Sequence, residues 1–312
     1  MTTPRTVVAL PGNEALAAEL IKSLGAATGT LTLRSFPDGE TYVRMHESVV
    51  GQEVVIACSL DRPDSRVVPL YLLGSSLREQ GAARVLLAAP YLAYMRQDRE
   101  FQPGEAVSAR HFARWLSSFI DGLVTVDPHL HRIHKLSEIY RIPVRVVAAA
   151  SNIAHWIALN VASPLVIGPD AESAQWVAAV AGAAGCPYTV LEKRRRGDRD
   201  VEVSIPEVAR WRDRTPVLVD DIVSTARTMI AAVSHLRSQR MAPPVCVAVH
   251  AVFAGSAYGD LRAAGAARIV SCNTISHVSN AIDVLPRVAA AVAELIQVNG
   301  PATALLQDRF PV

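Results

Sequence analysis

Residues 217–232, VLVDDIVSTARTMIAA, constrain the fold more than any other stretch: a strand, two acids, a hydroxyl-bearing turn and a helix start follow one another within sixteen positions. Val217, Leu218 and Val219 form the short β-branched and apolar run of a parallel-sheet strand covered on both faces. Met229, Ile230, Val233 and Leu236 then follow helical spacing. A strand leading straight into a helix is half of a βαβ unit, so an α/β architecture is the first expectation. Asp220 and Asp221 come at the carboxyl end of this strand, where open α/β sheets bind ligands. There they are placed to accept hydrogen bonds from vicinal sugar hydroxyls or to hold a hydrated magnesium ion. Ser224, Thr225, Ala226, Arg227 and Thr228 surround the helix start, whose unpaired N–H groups and positive dipole suit a phosphate. Taken one residue at a time, the same run also suits a capped helix after an ordinary strand, since Ser and Thr are common caps.

The same rhythm fills the chain. Apolar runs at residues 6–10, 31–34, 54–58, 84–89 and 123–126 read as strands, with helical patterns at 14–24, 67–80 and 109–119 between them. The second half continues with strands at 165–168, 188–191, 217–219, 245–250 and 268–271 and helices at 173–184, 227–238 and 288–297. At 312 residues the chain exceeds one ordinary core, so two domains are expected. The halves share a pattern and no residue-level repeat. A boundary near residues 148–151 gives domains at 1–148 and 149–295, with a tail at 296–312 that returns to the first domain.

Composition excludes several classes. The formal net charge is +2, and no long basic stripe with interleaved aromatics appears, which argues against nucleic acid as the main partner. Cys58, Cys186, Cys246 and Cys272 lie far apart with no CxxC pair, and read as buried thiols in a reducing cytosol. The first residues, MTTPRTVVALPG, lack the apolar core of a signal peptide. No uninterrupted apolar stretch of about eighteen residues suggests a membrane span.

Residues 220–228, DDIVSTART, resemble the phosphoribosyl-pyrophosphate motif shared by type I phosphoribosyltransferases and ribose-phosphate pyrophosphokinases. Three further segments resemble the pyrophosphokinase family in particular: FPDGE at 36–40, YLAYMRQDR at 91–99 and TVDPH at 125–129. The resemblance runs from about Arg34 to Asp283, with the motifs in the family's order. It implies two similar domains, each a parallel-sheet phosphoribosyltransferase-like fold with flanking helices. It also implies a cytoplasmic homo-oligomeric enzyme that uses ATP, ribose 5-phosphate and Mg2+ to make phosphoribosyl pyrophosphate and AMP.

Roles follow residue by residue. Phe36, Asp38 and Glu40, with Arg96, Gln97 and Asp98, are implied for ATP; without the resemblance, FPDGE reads only as a Pro, Asp and Gly turn. Lys193 and Arg195 in EKRRR are implied for the transferring diphosphate, on a polar stretch suited to a lid. His129 and Asp170 are implied for the metal, with Asp127 orienting His129, while His131 and His134 read as surface or packing histidines. Asp220 to Thr228 are implied for ribose 5-phosphate.

The chain also departs from the common bacterial pattern. Ser224 replaces an acid and Arg227 a glycine in the phosphate turn, Pro128 replaces a leucine, Glu100 replaces a basic residue, and Glu172 and Ser173 replace a glycine pair. Two alternatives therefore stay beside the main expectation: a catalytically weak paralogue acting as a regulatory subunit, and a phosphoribosyltransferase.

Overall fold

A computed structural model describes residues 3–168, 173–196, 200–204 and 208–298. The chain divides into two compact units, one running to Val147 and resumed at Leu285, the other spanning Ala148–Val284.

The first unit contains β1 (Arg5–Ala9), α1 (Glu14–Leu24), β2 (Ala27–Thr28), β3 (Leu31–Ser35), β4 (Thr41–Met45), β5 (Glu53–Ala57), α2 (Asp64–Glu79), β6 (Arg84–Ala88), α3 (Ser108–Leu116), β7 (Gly122–Val126) and β8 (Val144–Val147). Six of these strands make a parallel sheet in the order β2-β1-β5-β6-β7-β8. Every residue of β5, β6 and β7 is buried, which is why their sequences run apolar without alternation. Apart from Thr125 in β7, the polar exceptions sit at the strand starts, where Arg5, Glu53 and Arg84 stand in register on adjacent strands and pair at 3.1 and 3.0 Å.

The second unit contains α4 (Ala150–Asn160), β9 (Pro164–Gly168), α5 (Ala174–Ala184), β10 (Tyr188–Val190), β11 (Glu192–Arg196), β12 (Asp200–Ser204), β13 (Thr215–Val223), α6 (Arg227–Ser238), β14 (Val245–Ala251), α7 (Ala257–Ala263), β15 (Arg268–Cys272) and β16 (Asn280–Ile282). Its parallel sheet has the order β10-β9-β13-β14-β15-β16. The last helix, α8 (Leu285–Val298), belongs to the first unit and packs against α1, β7 and β8.

Both units follow one plan. Each sheet places its first strand between its second and third, and each inserts a two-stranded antiparallel hairpin, β3–β4 or β11–β12, before the strand that becomes central. The duplication is thus topological, and the chemistry at equivalent places differs. The central strand β13 carries Asp220 and Asp221 and leads into Ser224 and Thr225, whereas β5 ends in Ile56 and Ala57. After β5, Arg66 from the first turn of α2 donates to the carbonyl of Asp61 at 2.8 Å and pairs with its carboxylate at 3.1 Å.

Several expectations are corrected. Residues 31–34 do not join a parallel sheet; they form one arm of the β3–β4 hairpin, because Thr32, Arg34, Tyr42 and Arg44 supply a polar and aromatic face unsuited to a covered sheet. The strand expected at 217–219 extends to Val223, so Asp220 and Asp221 lie within it, paired with β14 through Asp220↔Ala248. The stretch expected as a lid begins on hairpin strand β11 and reaches the first residue of β12, and residues 197–199 between them lie outside the described residues. Helices α4 and α7 and strands β4 and β8 were not expected. α4 begins without a side-chain cap, so its only signal is the apolar spacing of Ile153, Ala154, Trp156 and Ile157. Cys58, Cys246 and Cys272 are buried, but Cys186 is only half-buried. No helix among the described residues is long and apolar enough to cross a membrane. The expected tail beyond residue 298 and Asp170 lie outside the described residues.

Candidate functional site

In the second unit the site is built on β13. Val217, Leu218 and Val219 are buried, and Leu218 ties the strand into the core with Leu165, Ile167 and Cys246. Pairing with β9 stops at Leu218↔Ile167, whereas pairing with β14 continues to Val223↔Ala251. Asp220 and Asp221 therefore stand on the stretch of β13 that outruns β9, half-buried. Asp220 accepts a hydrogen bond from the Asp221 N–H at 3.0 Å, and Asp221 accepts one from the Ile222 N–H at 2.7 Å. These short-range bonds lay both carboxylates along the strand.

The turn after β13 reverses tightly. Ala226 takes the left-handed conformation, φ 55° and ψ 9°, and its carbonyl accepts the first α6 bond from Ile230 N–H at 2.8 Å. A non-glycine residue there is uncommon; burial of the Ala226 methyl against Val223 and Met229 within the core holds it. Ser224 was expected to cap the helix and does not, since the cap position falls on Ala226 and no side chain caps α6. The carbonyl of Ser224 is instead held by Ala254 N–H at 3.1 Å, which ties the turn to the segment after β14. The first N–H groups of α6 have no carbonyl within the helix to receive them, and Thr225 and Arg227 are exposed beside them with Thr228 half-buried. Carboxylates on the strand, hydroxyls in the turn and bare N–H groups at a helix start make an arrangement suited to a phosphorylated polyol. Lys193 and Arg195 fall on β11, paired through the backbone with Val203 and Val201; their side chains lie outside the described part of the structure.

In the first unit, residues 36–40 close the β3–β4 hairpin. Phe36 N–H donates to the Glu40 carbonyl at 2.8 Å, Gly39 adopts φ 95°, and the Asp38 carboxylate accepts from Glu40 N–H at 3.1 Å. A glycine suits that φ because a side chain would crowd the backbone. Phe36 remains 38 % exposed. Behind the hairpin, Ser35, Gly39, Glu40 and Thr41 share an open cavity of about 630 Å³ with Asp64, Ser65 and Val68 of α2.

The RQD segment separates its three candidates. Arg96 is exposed. Gln97 donates its amide to Glu105 at 2.8 Å. Asp98 is buried, and its carboxylate accepts from Arg132 N–H at 3.1 Å and from the Arg132 guanidinium at 3.2 Å. Burial opposes its ionisation, yet the Arg132 backbone bond and charge hold the Asp98 carboxyl below the ordinary aspartate range. Its neighbour Tyr94 sits at φ 62° and donates its hydroxyl to Asp64; that bond, then burial, pushes the phenol up to about 12. His129 follows β7 and stands edge to face with His131, ring centres 4.0 Å apart. Asp127 between them and the strand has φ 31°.

Sequence reasoning missed Glu105 and Arg132, whereas His131, read as a surface or packing histidine, packs on the ring of His129. Glu105 gathers the amide of Gln97 and the N–H groups of Phe101 and Gln102, which also lowers its carboxyl below the usual range. Arg132 links the RQD segment to the stretch after His129.

A family described as the phosphoribosyl transferase domain matches residues 135–286, the class that the sheet and turn of the second unit define. The family described as the N-terminal domain of ribose phosphate pyrophosphokinase matches residues 6–119. The ribose-phosphate pyrophosphokinase of Methanopyrus kandleri is 34% identical over 282 residues, covering 90% of this chain and 96% of that protein. That of Halobacterium salinarum is 32% identical over 90% of this chain and 98% of its own length. The chain belongs to the ribose-phosphate pyrophosphokinase family of enzymes. A crystal structure of phosphoribosylpyrophosphate synthetase from Mycobacterium smegmatis shares the fold, with a TM-score of 0.82 at 23% identity, covering 95% of this chain and 100% of that one.

Proposed function

We propose that this chain transfers the diphosphoryl group of MgATP to the anomeric hydroxyl of ribose 5-phosphate. The hydroxyl oxygen bonds to the β-phosphorus and loses its proton, the bond from that phosphorus to the α–β bridging oxygen breaks, and AMP leaves with that oxygen. The observation that carries the reading is the run from Asp220 to Thr228: two carboxylates on the projecting end of β13, then a hydroxyl turn that opens α6 without a capping side chain. Vicinal ribose hydroxyls fit the carboxylates and the 5-phosphate fits the turn.

The first domain, 1–148, is assigned the nucleotide through Phe36, Asp38, Glu40, Arg96 and Gln97, with Asp98 holding the segment in place through Arg132. The second unit, Ala148–Val284, is assigned the sugar phosphate. Magnesium fits the donor chemistry, because it prefers carboxylate oxygens and accepts contacts through water; His129 and Asp170 are its assigned holders. When bound, it neutralises charge on the phosphates. Lys193 and Arg195 are assigned to the charge that builds on the diphosphate during transfer, a task of alignment and neutralisation. The enzyme is assigned to the cytosol as a homo-oligomer.

Phosphorus NMR of the purified protein with ribose 5-phosphate, ATP and magnesium tests this directly. Appearance of AMP together with a ribose bearing a pyrophosphate supports it. Bound substrates without turnover would favour a regulatory paralogue.

A further inference from the structure

The face of the β3–β4 hairpin turned away from α2 carries an unusual group. Arg34 and Tyr42 are cross-strand partners, and Phe36 follows Arg34 by two residues, so all three side chains project from one face. The Arg34 guanidinium carbon lies 4.5 Å from the centre of the Phe36 ring and 4.4 Å from that of Tyr42. The two rings meet at 88° with centres 6.1 Å apart, so the cation occupies the corner between them. Among the described residues no carboxylate pairs with Arg34. The opposite face of the hairpin, with Ser35 and Thr41, lines the cavity shared with α2.

We propose that Arg34 is a positioning residue for the nucleotide: it clamps Phe36 against Tyr42 so that the uncovered face of the Phe36 ring is held ready to stack on the purine base. An exposed phenylalanine on a hairpin tip otherwise samples several rotamers and loses that freedom on binding. Two cation–π contacts, each worth about 0.5–1 kcal/mol at an exposed site, remove part of that cost beforehand. The guanidinium behind the ring leaves one aromatic face for the base and excludes a second. No charge on the base is required, and the phosphates play no part. This rests on the assignment of the hairpin to adenine in the proposed function.

The test is steady-state kinetics on Arg34→Met, Arg34→Lys, Tyr42→Leu and Phe36→Ala, with folding checked by circular dichroism. Arg34→Met is expected to raise the KM for ATP about five- to tenfold, with kcat within about twofold and the KM for ribose 5-phosphate unchanged. Arg34→Lys recovers most of the loss, since an ammonium retains the attraction to the rings. Tyr42→Leu reproduces the Arg34→Met effect, and the double variant is no worse than either alone, because both remove one clamp. Inhibition by inorganic tripolyphosphate, which carries no base, stays as in the parent; a lost phosphate contact would change it. An unchanged KM for ATP in Arg34→Met beside a raised one in Phe36→Ala overturns the clamp alone. An unchanged KM in Phe36→Ala overturns the adenine assignment itself, and a fall in kcat without a change in KM moves Arg34 to the transferring phosphates.

Discussion

Arg84 and Glu53 stand opposite each other on β6 and β5, and the Arg84 guanidinium reaches the Glu53 carboxylate at 3.0 Å while also donating to the carbonyls of Ile296 at 3.3 Å and Leu295 at 3.4 Å. Arg84 is 8% exposed and Glu53 7%. One buried cation thus neutralises a sheet carboxylate and donates to two carbonyls near the end of α8. Arg84→Met is expected to destabilise the protein by about 2–4 kcal/mol, because it leaves a buried carboxylate with Arg5 alone and removes a donor from two α8 carbonyls. Urea unfolding of the variant checks this; a loss no larger than a surface substitution would place the link elsewhere.

The Asp98–Arg132 pair gives a pH dependence with a definite sign. Asp98 titrates below its ordinary value of 3.8 in the folded chain. The unfolded chain therefore takes up this proton first as the solution is acidified, and the stability that Asp98 contributes is complete above that value and lost as pH falls through the folded one. Asp98→Asn should cost about 1–2 kcal/mol at neutral pH, discounted because Arg132 is partly exposed. The difference from the parent should shrink as the solution is taken below the ordinary aspartate value. Denaturation midpoints of both proteins measured across that range decide it, and a constant difference would contradict the pairing.

The α/β rhythm was legible because the buried parallel strands β5 and β6 run apolar over four residues after a charged first one, Val54–Ala57 and Val85–Ala88, and such short runs alternate with helical patterns. The β13 turn was legible because its chemistry is contiguous. The β3–β4 hairpin was only half legible: Leu31 and Leu33 look like core, while the alternation of Thr32, Arg34, Tyr42 and Arg44 that puts the hairpin outside the sheet emerges only from the cross-strand register. Arg132 and Glu105 were invisible for a related reason. Their partners lie 34 and 8 residues away, and a charged residue in a polar loop carries no mark of what it will meet after folding.

Lys193→Ala is expected to lower kcat about a hundredfold or more while unfolding and substrate KM values change little, since its charge is assigned to the diphosphate in transit and such a contact stabilises the transition state more than the ground state. Rapid-quench measurement of AMP formation isolates that step. Parent-like chemistry in the variant would return Lys193 to an ordinary position on β11.

Asp221 separates the sugar from the nucleotide. Its carboxylate lies on the projecting part of β13, half-buried and bonded to Ile222 N–H at 2.7 Å, so Asn keeps the volume and an accepting oxygen but removes the charge. A charged acceptor for a ribose hydroxyl is worth about 1.5–3 kcal/mol and a neutral one roughly half that. Asp221→Asn should therefore raise the KM for ribose 5-phosphate about tenfold. The KM for ATP should remain near the parent value, because the nucleotide is assigned to the other domain. Titration of ribose 5-phosphate into the variant by calorimetry, with and without magnesium, separates the two duties of the acid. A loss seen only with the metal present would mean that Asp221 serves the ion and reaches the sugar through it, while an equal loss in both conditions would mean a direct bond to the sugar.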